Sequence, residues 1–233
     1  MSKRFVIIAS LLSVVPEVFA DGIKIDKVYN PYVQPSEREI EIRSNFFEFD
    51  DSRDISFHRL GLGYGVTPKW FVELYAIGEQ ADNASLSLEA VELEAKWQLG
   101  EQGEYNADWG ILFELEDQHH EDAFEFASKL LTAKDFSRWT LQTNFGIVYE
   151  WGADVDNELE TTFAAQLRYR QQPTFEPGLE IYIGQDTQGI GPVLQGAIRA
   201  SGRKSVHWEA GIIAGLKEDT PDYTLRLLLE FEY

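Results

Sequence analysis

The chain ends in Leu225-Arg226-Leu227-Leu228-Leu229-Glu230-Phe231-Glu232-Tyr233, and this stretch decides the fold. Every odd-numbered residue in it is apolar or aromatic, whereas Arg226, Glu230 and Glu232 occupy even-numbered positions. Because successive side chains of a β-strand point to opposite faces, a strand formed here has one continuous apolar face that ends at Tyr233. The stretch therefore predicts a strand that separates an apolar environment from a polar one.

The last residues also carry a resemblance. Phe231 and Tyr233 close the apolar face, and this ending resembles the C-terminal signal that barrel-assembly machinery reads in bacterial outer-membrane proteins. The resemblance implies a transmembrane β-barrel whose closing strand is the last segment of the chain, with Phe231 and Tyr233 as its assembly signal. It also implies three partners, which are the assembly machinery, outer-membrane lipid and lipopolysaccharide.

The N-terminus predicts export. Lys3 and Arg4 precede an apolar run at residues 5–15, and Val18-Phe19-Ala20 fits a signal-peptidase site. Residues 1–20 are therefore predicted to be a cleaved signal peptide. No later stretch approaches the roughly 18 uninterrupted apolar residues of a membrane helix. A membrane span must then be built from strands, which cross lipid only when the sheet closes and leaves no edge unpaired.

Composition narrows the class of partner. The 233 residues carry a formal net charge of −20 and contain no cysteine. Strong acidity argues against nucleic-acid binding, because no basic patch is available to displace counterions from phosphates. The lack of cysteine means that no disulfide stabilises the structure. We predict no cofactor, and localisation in the outer membrane of a Gram-negative bacterium.

Segments of about ten residues with period-two alternation recur along the chain, which is typical of a transmembrane barrel. We predict about twelve antiparallel strands in an up-and-down barrel that spans residues 38–233, with short loops. Ten or fourteen strands remain compatible with the pattern, and a soluble β-sandwich is the alternative fold. The predicted segments are 38–47, 55–66, 69–77, 86–99, 108–118, 123–132, 138–151, 159–170, 178–185, 191–201, 205–216 and 223–233.

One segment predicts where the membrane interfaces lie. Between Trp139 and Trp151 the odd-numbered residues are apolar, aromatic or Thr, while the even-numbered face carries polar residues such as Gln142 and Asn144. A strand of this length, tilted by about 40°, separates its two end residues by about 30 Å along the membrane normal. The tryptophans predicted to form the two aromatic girdles are Trp97, Trp109, Trp139 and Trp151.

The polar faces supply the predicted lumen and its charges. An acidic sector is expected near the fourth and fifth strands and a basic sector near the eighth. We predict that Arg168 and Arg170 face four glutamates and form a selectivity region, because charged side chains set selectivity in channels. The four glutamates are Glu92, Glu94, Glu114 and Glu116, and the other predicted lumen cations are Arg59, Arg199 and Arg226.

One strand carries residue types that are typical of hydrolytic catalysis. Ser205, His207 and Glu209 share one face of a strand, as a nucleophile, a base and an orienting carboxylate would. Residues two apart on a strand lie nearly 7 Å apart, which is too far for an ordinary hydrogen bond between serine and histidine. No zinc, nucleotide-loop or EF-hand motif is present in the sequence. We therefore predict no catalytic residues, no metal site and no enzymatic activity.

Residues 21–37 form a lead-in to the first strand. Pro31 and Pro35 predict an irregular, extended conformation, and the lead-in is predicted either to lie in the periplasm or to enter the lumen as a small plug. With the Glu37-Arg38-Glu39-Ile40-Glu41 that follows, it resembles the start of a poorly characterised group of proteobacterial outer-membrane barrels described as transporters.

These observations favour a narrow passive channel for a small polar or charged solute. The first alternative is a non-conducting structural or partner-binding barrel, whose interior is closed by salt bridges and by the lead-in. A lipid-modifying hydrolase is the second alternative.

Overall fold

The computed structural model describes residues 25–49, 54–81, 84–200 and 204–233. The predicted signal peptide, 1–20, lies outside the described residues, as do residues 21–24 of the lead-in. The described residues form twelve strands, which are β1 Arg38–Glu48, β2 Asp54–Thr67, β3 Trp70–Ala81, β4 Ser87–Gln98, β5 Asp108–Gln118, β6 Ala123–Phe136, β7 Trp139–Gly152, β8 Glu158–Tyr169, β9 Glu176–Ile183, β10 Gln188–Arg199, β11 Ser205–Gly215 and β12 Tyr223–Glu232.

The twelve strands close into a single antiparallel barrel. Each strand pairs with its neighbours in sequence, and β12 returns to pair with β1 from Glu39↔Glu232 to Glu48↔Tyr223. Closure removes both sheet edges, so every strand has two hydrogen-bonded neighbours. The predicted fold class and the count of twelve strands are confirmed. Connections are short, and the longest runs over residues 99–107.

The outer surface is apolar, as the alternation predicts. Outward side chains such as Leu62, Phe145 and Ile212 are each more than half exposed although they are strongly hydrophobic. Aromatic rings pair near the strand ends, where Trp70 stacks on Trp97 with centroids 5.4 Å apart. A continuous apolar belt around a closed sheet is the surface that lipid requires. No helix in the described parts of the chain is long and apolar enough to cross a membrane.

Several strands begin or end a few residues from the predicted positions, such as β3, which runs to Ala81 and not to 77. β6 continues to Phe136, beyond the predicted end at 132, because it pairs with β7 as far as Phe136↔Trp139. Thr140 donates a hydrogen bond of 2.6 Å to Asp135, which supports this extension. In β4 the pairing skips Glu89, since Ile77 lies opposite Ala90 and Gly78 opposite Leu88. Glu89 is therefore the extra residue of a β-bulge in β4.

The described part of the lead-in, residues 25–37, runs inside the barrel. It passes from the rim that holds Arg38 and Tyr233, called here the terminal rim, towards the opposite rim. Two inward-facing glycines leave space for the lead-in, because they have no side chain. A Cβ on Gly65 would overlap the carbonyl oxygen of Gln34, and a Cβ on Gly110 would lie 3.0 Å from that of Pro31. Ser36 turns the chain into β1 with a φ of 62°.

Candidate functional site

Asp26 in the lead-in is the centre of a buried polar network. Its carboxylate accepts hydrogen bonds from Arg43 at 2.7 Å and from Asn45 at 3.2 Å, both on β1. Its carbonyl oxygen accepts hydrogen bonds from Arg226 on β12 and from the hydroxyl of Tyr182 on β9, the latter at 2.9 Å. One residue of the lead-in therefore joins three strands inside the lumen.

Ion pairs surround this centre. Arg226 binds both carboxylate oxygens of Glu180, at 2.9 and 2.8 Å, and also Glu209. Lys27 pairs with Glu41, which also lies 3.2 Å from Arg43. Arg226, Arg43, Glu41 and Glu180 have no exposed surface. Buried charges of this kind are tolerated only when they are paired, because each ion loses its hydration.

Tyr29 extends the contacts of the lead-in to the acidic sector. Its hydroxyl donates a hydrogen bond of 2.7 Å to Glu94 on β4, and its backbone binds Asn144 on β7. Nearer the terminal rim, Tyr32 donates to Asp108 at 2.9 Å, and the amide of Val33 donates to Gln98 at 2.7 Å. These contacts fix the lead-in across the lumen between opposite parts of the barrel.

Above this segment lies a cavity that reaches towards the opposite rim. Its volume is about 570 Å³, and Asp26, Lys27 and Tyr29 form its floor. Phe47, Phe49 and Phe57, among others, give it an aromatic side. We call this space the vestibule. A volume in this range accommodates a small organic molecule.

The vestibule is strongly acidic. Eleven carboxylates and three cationic side chains line it, which leaves a formal charge of −8. An acidic, partly enclosed space concentrates cations, because field lines are focused where the surrounding protein is of low dielectric constant. The carboxylates belong to Asp26, Glu79, Glu89, Glu92, Glu114, Glu116, Glu121, Glu125, Glu160, Asp186 and Asp219, and the cations to Lys27, Arg59 and Lys129.

The three cations of the vestibule are paired with carboxylates. Arg59 binds Glu92 at 2.8 Å, and Lys129 binds Glu114 at 2.7 Å. The third cation, Lys27, is paired with Glu41 as described above. The positive charges of the vestibule are therefore balanced locally, and the surplus is negative.

The solved structures that resemble this chain are outer-membrane proteins. The fold is that of outer-membrane channels. An outer-membrane channel from Pseudomonas putida F1 superposes with a TM-score of 0.58 and 12% identity, over 90% of this chain and 99% of that one. The KdgM porin in complex with oligogalacturonate gives 0.54 and 11%, over 84% and 98%.

An autotransporter shares the fold as well. The β domain of the Bordetella autotransporter BrkA gives a TM-score of 0.53 and 11% identity, over 86% of this chain and 99% of that one. No family model and no curated protein sequence matches the chain. Because one barrel architecture serves both channels and autotransporters, function has to be argued from the interior of this barrel.

The predicted selectivity region is not assembled as expected. Arg168 pairs with Glu176 at 3.2 Å, and Arg170 lies beyond the end of β8, where it pairs with Asp135 at 2.8 Å. Arg199 is exposed near the end of β10. Neither Arg168 nor Arg170 contacts the four glutamates, and the predicted role of these two arginines in selectivity stays a prediction. The four glutamates share one side of the lumen, where Arg59 binds Glu92 and Lys129 binds Glu114.

The other predicted residues lie on the faces that alternation assigns to them. Phe231 and Tyr233 point outward, and the backbone of Tyr233 exchanges hydrogen bonds with that of Arg38 at 2.9 and 3.2 Å. Trp97, Trp109 and Trp139 lie on the outer surface near the terminal rim, while Trp151 lies near the opposite rim. Arg226 is in the lumen. The roles of these residues in assembly and at the interfaces stay predictions.

The serine–histidine–glutamate arrangement is not a connected triad. Ser205 donates its hydrogen bond to Glu232, not to His207. His207 lies 3.2 Å from Glu232, and Glu209 pairs with Arg226. The ligand atoms of His207, Glu230 and Glu232 lie within 4.8 Å of one another, as do those of Glu39, Glu41 and Glu230. The first group is partly exposed, and in the second Glu41 already pairs with Lys27 and Arg43, so neither group is assigned a metal.

The sequence analysis missed the contribution of the lead-in to the site. Asp26, Lys27 and Tyr29 follow no strand pattern, and their partners lie on β1, β4, β7, β9 and β12. The available signal was their composition. Charged and aromatic residues close together just before two prolines are unusual for a solvated leader, and they match the polar interior of a barrel.

Proposed function

We propose that the protein is a narrow passive channel for a small polar or charged solute in the outer membrane of a Gram-negative bacterium. The observation that carries the proposal is the vestibule, a polar cavity of about 570 Å³ inside a closed barrel whose outer surface is apolar. Lipopolysaccharide and outer-membrane lipid are the partners of the outer surface, and the barrel-assembly machinery is the partner of the C-terminal strand.

The proposed orientation follows from the even number of strands. Both ends of the barrel domain lie at the terminal rim, which faces the periplasm in this proposal, so the vestibule opens to the outside. The lead-in then acts as a plug, because it forms the floor of the vestibule and crosses the lumen below it. Passage of a solute requires the lead-in to move.

A second candidate function is a non-conducting barrel. The observation that favours it is the buried network in the middle of the lumen, where Glu41, Arg43, Glu180 and Arg226 have no exposed surface. These residues belong to β1, β9 and β12, so part of the closure would persist after the lead-in was removed. The two candidates differ in one measurable property, which is conductance without the lead-in.

Planar-bilayer recording on two refolded chains tests the proposal. The first chain starts at residue 21, and the second starts at residue 38 and lacks the lead-in. Channel function predicts rare or small openings in the first chain and discrete, larger conductance steps in the second. Heat-dependent migration on gels verifies that both barrels are folded. A folded second chain without discrete conductance would overturn the channel and leave the closed barrel in its place.

A further inference from the structure

The vestibule combines two surfaces that different parts of one ligand would contact. Its aromatic side includes Phe47 and Phe57, whose rings meet edge to face with centroids 6.0 Å apart. Phe49 packs against the same cluster. Aromatic faces attract both apolar groups and cations. A fully hydrated inorganic ion gains little from such a surface.

The rest of the vestibule is acidic, and its cationic side chains are already paired with carboxylates. Arg59 and Lys129 are held by Glu92 and Glu114 at hydrogen-bond distance. An anionic ligand would therefore meet surplus negative charge without an available cation among the described residues that line the vestibule. A cationic ligand would be attracted by the same surplus. The surplus of negative charge therefore predicts a positively charged ligand.

Asn45 supplies an independent indication of a ligand. Its side chain is buried to 95%, it lines the vestibule, and its Nδ2 donates to Asp26 at 3.2 Å. Its Oδ1 accepts no hydrogen bond from any described residue. A buried acceptor without a donor is costly, so a small rotation of the Asn45 side chain that brings Oδ1 to an N–H group in the vestibule would be favourable.

We propose that the vestibule binds a small organic cation, an amine or ammonium with an aromatic or apolar body. Its charged N–H group contacts the acidic side and Oδ1 of Asn45, and its body packs on Phe47, Phe49 and Phe57. The inference rests on the proposed function, because it names the class of solute that enters the channel from outside. The volume of about 570 Å³ suits a molecule of this size.

Calorimetry on the refolded chain that starts at residue 21 tests the proposal with four probes. 2-Phenylethylammonium carries both features, 2-phenylethanol lacks the charge, ethylammonium lacks the ring, and phenylacetate reverses the charge. We expect 2-phenylethylammonium to bind at least tenfold more tightly than each of the others. Its affinity should fall as salt is raised, whereas that of 2-phenylethanol should not, because salt screens only the charged interaction.

Two variants and a control test which side chains contact the amine. Phe57→Leu keeps an apolar side chain but removes the ring, and it should weaken 2-phenylethylammonium about threefold. Asn45→Leu removes the acceptor and should weaken it about fivefold. Their matched control is Phe126→Leu on the outer surface, which should leave the affinity unchanged. If Phe57→Leu does not refold, Phe49→Leu makes the same test at a residue outside the strands.

The acidic side has its own pair of variants. Glu79→Gln with Glu121→Gln removes two charges from the vestibule, and the affinity for 2-phenylethylammonium should fall at least threefold. Glu101→Gln, in an exposed turn at the terminal rim, is the matched charge control. Equal affinity for 2-phenylethanol and 2-phenylethylammonium would overturn the proposal, as would tighter binding of phenylacetate. Displacement of the amine by Mg²⁺ with no effect of Phe57→Leu would also overturn it, in favour of a simple inorganic cation site.

Failure of this inference and failure of the channel are distinguishable. Calorimetry requires no conductance, so a barrel that is silent in bilayers can still show selective binding of the amine. A conducting barrel that binds none of the four probes would remain a channel and would lose only the proposed solute class.

Discussion

Tyr29 and Asn144, which are 115 residues apart in sequence, hold each other through two hydrogen bonds. The amide of Tyr29 donates to Oδ1 of Asn144 at 2.8 Å, and Nδ2 of Asn144 donates to the carbonyl oxygen of Tyr29 at 2.9 Å. The side chain of Asn144 thus acts towards the lead-in as a neighbouring strand would. Because the amide and carbonyl of Tyr29 are buried, loss of Asn144 leaves both without partners.

Asn144→Leu should therefore loosen the lead-in. Two net hydrogen bonds are worth about 1–3 kcal/mol, which corresponds to roughly a 5- to 150-fold rise in the population of displaced lead-in. Single-channel recording should show more frequent openings than the unmodified chain. Gln142→Leu, two residues away on the same face of β7, is the matched control. An opening frequency equal to that of the control would contradict the role assigned to Asn144.

Charge selectivity should depend on Arg59 and Lys129 more than on Arg168 and Arg170. In the chain without the lead-in, Arg59→Gln with Lys129→Gln exposes Glu92 and Glu114 and should shift the reversal potential towards cations. The shift should shrink at 1 M salt, where the Debye length is about 3 Å. Arg168→Gln with Arg170→Gln is the comparison. A larger shift from this second pair would restore the selectivity region predicted from sequence.

A charge on the outer surface should be far more costly than one in the vestibule. Phe145 is 53% exposed in the middle of β7, so Phe145→Arg places a cation in lipid and should lower the free energy of unfolding by about 2–4 kcal/mol. Thr162→Arg, at a position that lines the acidic vestibule, should cost less than about 1 kcal/mol. Urea titrations in lipid vesicles measure both. Similar losses would mean that both faces are buried in protein.

The C-terminal residues should be needed for assembly. Deletion of residues 231–233 removes two outward aromatic side chains and the pairing of Tyr233 with Arg38 that completes the seam between β1 and β12. The truncated chain should be degraded in the periplasm, whereas Tyr233→Phe should accumulate normally. Immunoblots of outer-membrane fractions compare the two. Normal levels of the truncated chain would count against the assembly signal.

Stability should depend on pH through Glu37 at the terminal rim. Partial burial and a hydrogen bond with Glu232 raise the pKa of Glu37 from 4.5 to about 8. The folded state then holds this proton more tightly than the unfolded state, so the contribution of Glu37 is fully present below pH 4.5 and is lost as the pH rises to about 8.

The variant Glu37→Gln isolates this effect. Its free energy of unfolding should match that of the unmodified chain at pH 4 and should exceed it at pH 9. Glu101→Gln, in an exposed turn, should show no such difference between the two pH values. A constant offset of Glu37→Gln across the range would mean that its effect is steric and not due to ionisation.

The fold could be predicted from the sequence because the pattern that indicates it lies within each strand. Period-two alternation assigns each side chain to a face without any knowledge of its partners, and Gln142 and Asn144 lie inside as predicted. The end of β6 was missed because Lys134 and Asp135 read as a turn, and only pairing with β7 shows that they belong to a strand.

The site was harder to predict because the residues that contact one another there are distant in sequence. The cation that pairs with Glu92 is determined by strand register and by the length of each side chain. The sequence alone therefore could not favour Arg59 over Arg168 as the partner of Glu92. The position of the lead-in was harder still to predict. Its residues are ordered by partners on five strands, and an irregular segment without periodicity gives no indication of its own depth in the lumen.

Asp26 has a consequence for how the barrel forms. Asn45 and Arg226 lie opposite each other across the seam between the first and last strands, and both contact Asp26. A barrel that closed two residues out of register would keep its apolar face outward, yet Asp26 could not then contact both Asn45 on β1 and Arg226 on β12. The lead-in thus favours the correctly aligned seam during barrel closure, because Asp26 reaches both strands only in that register.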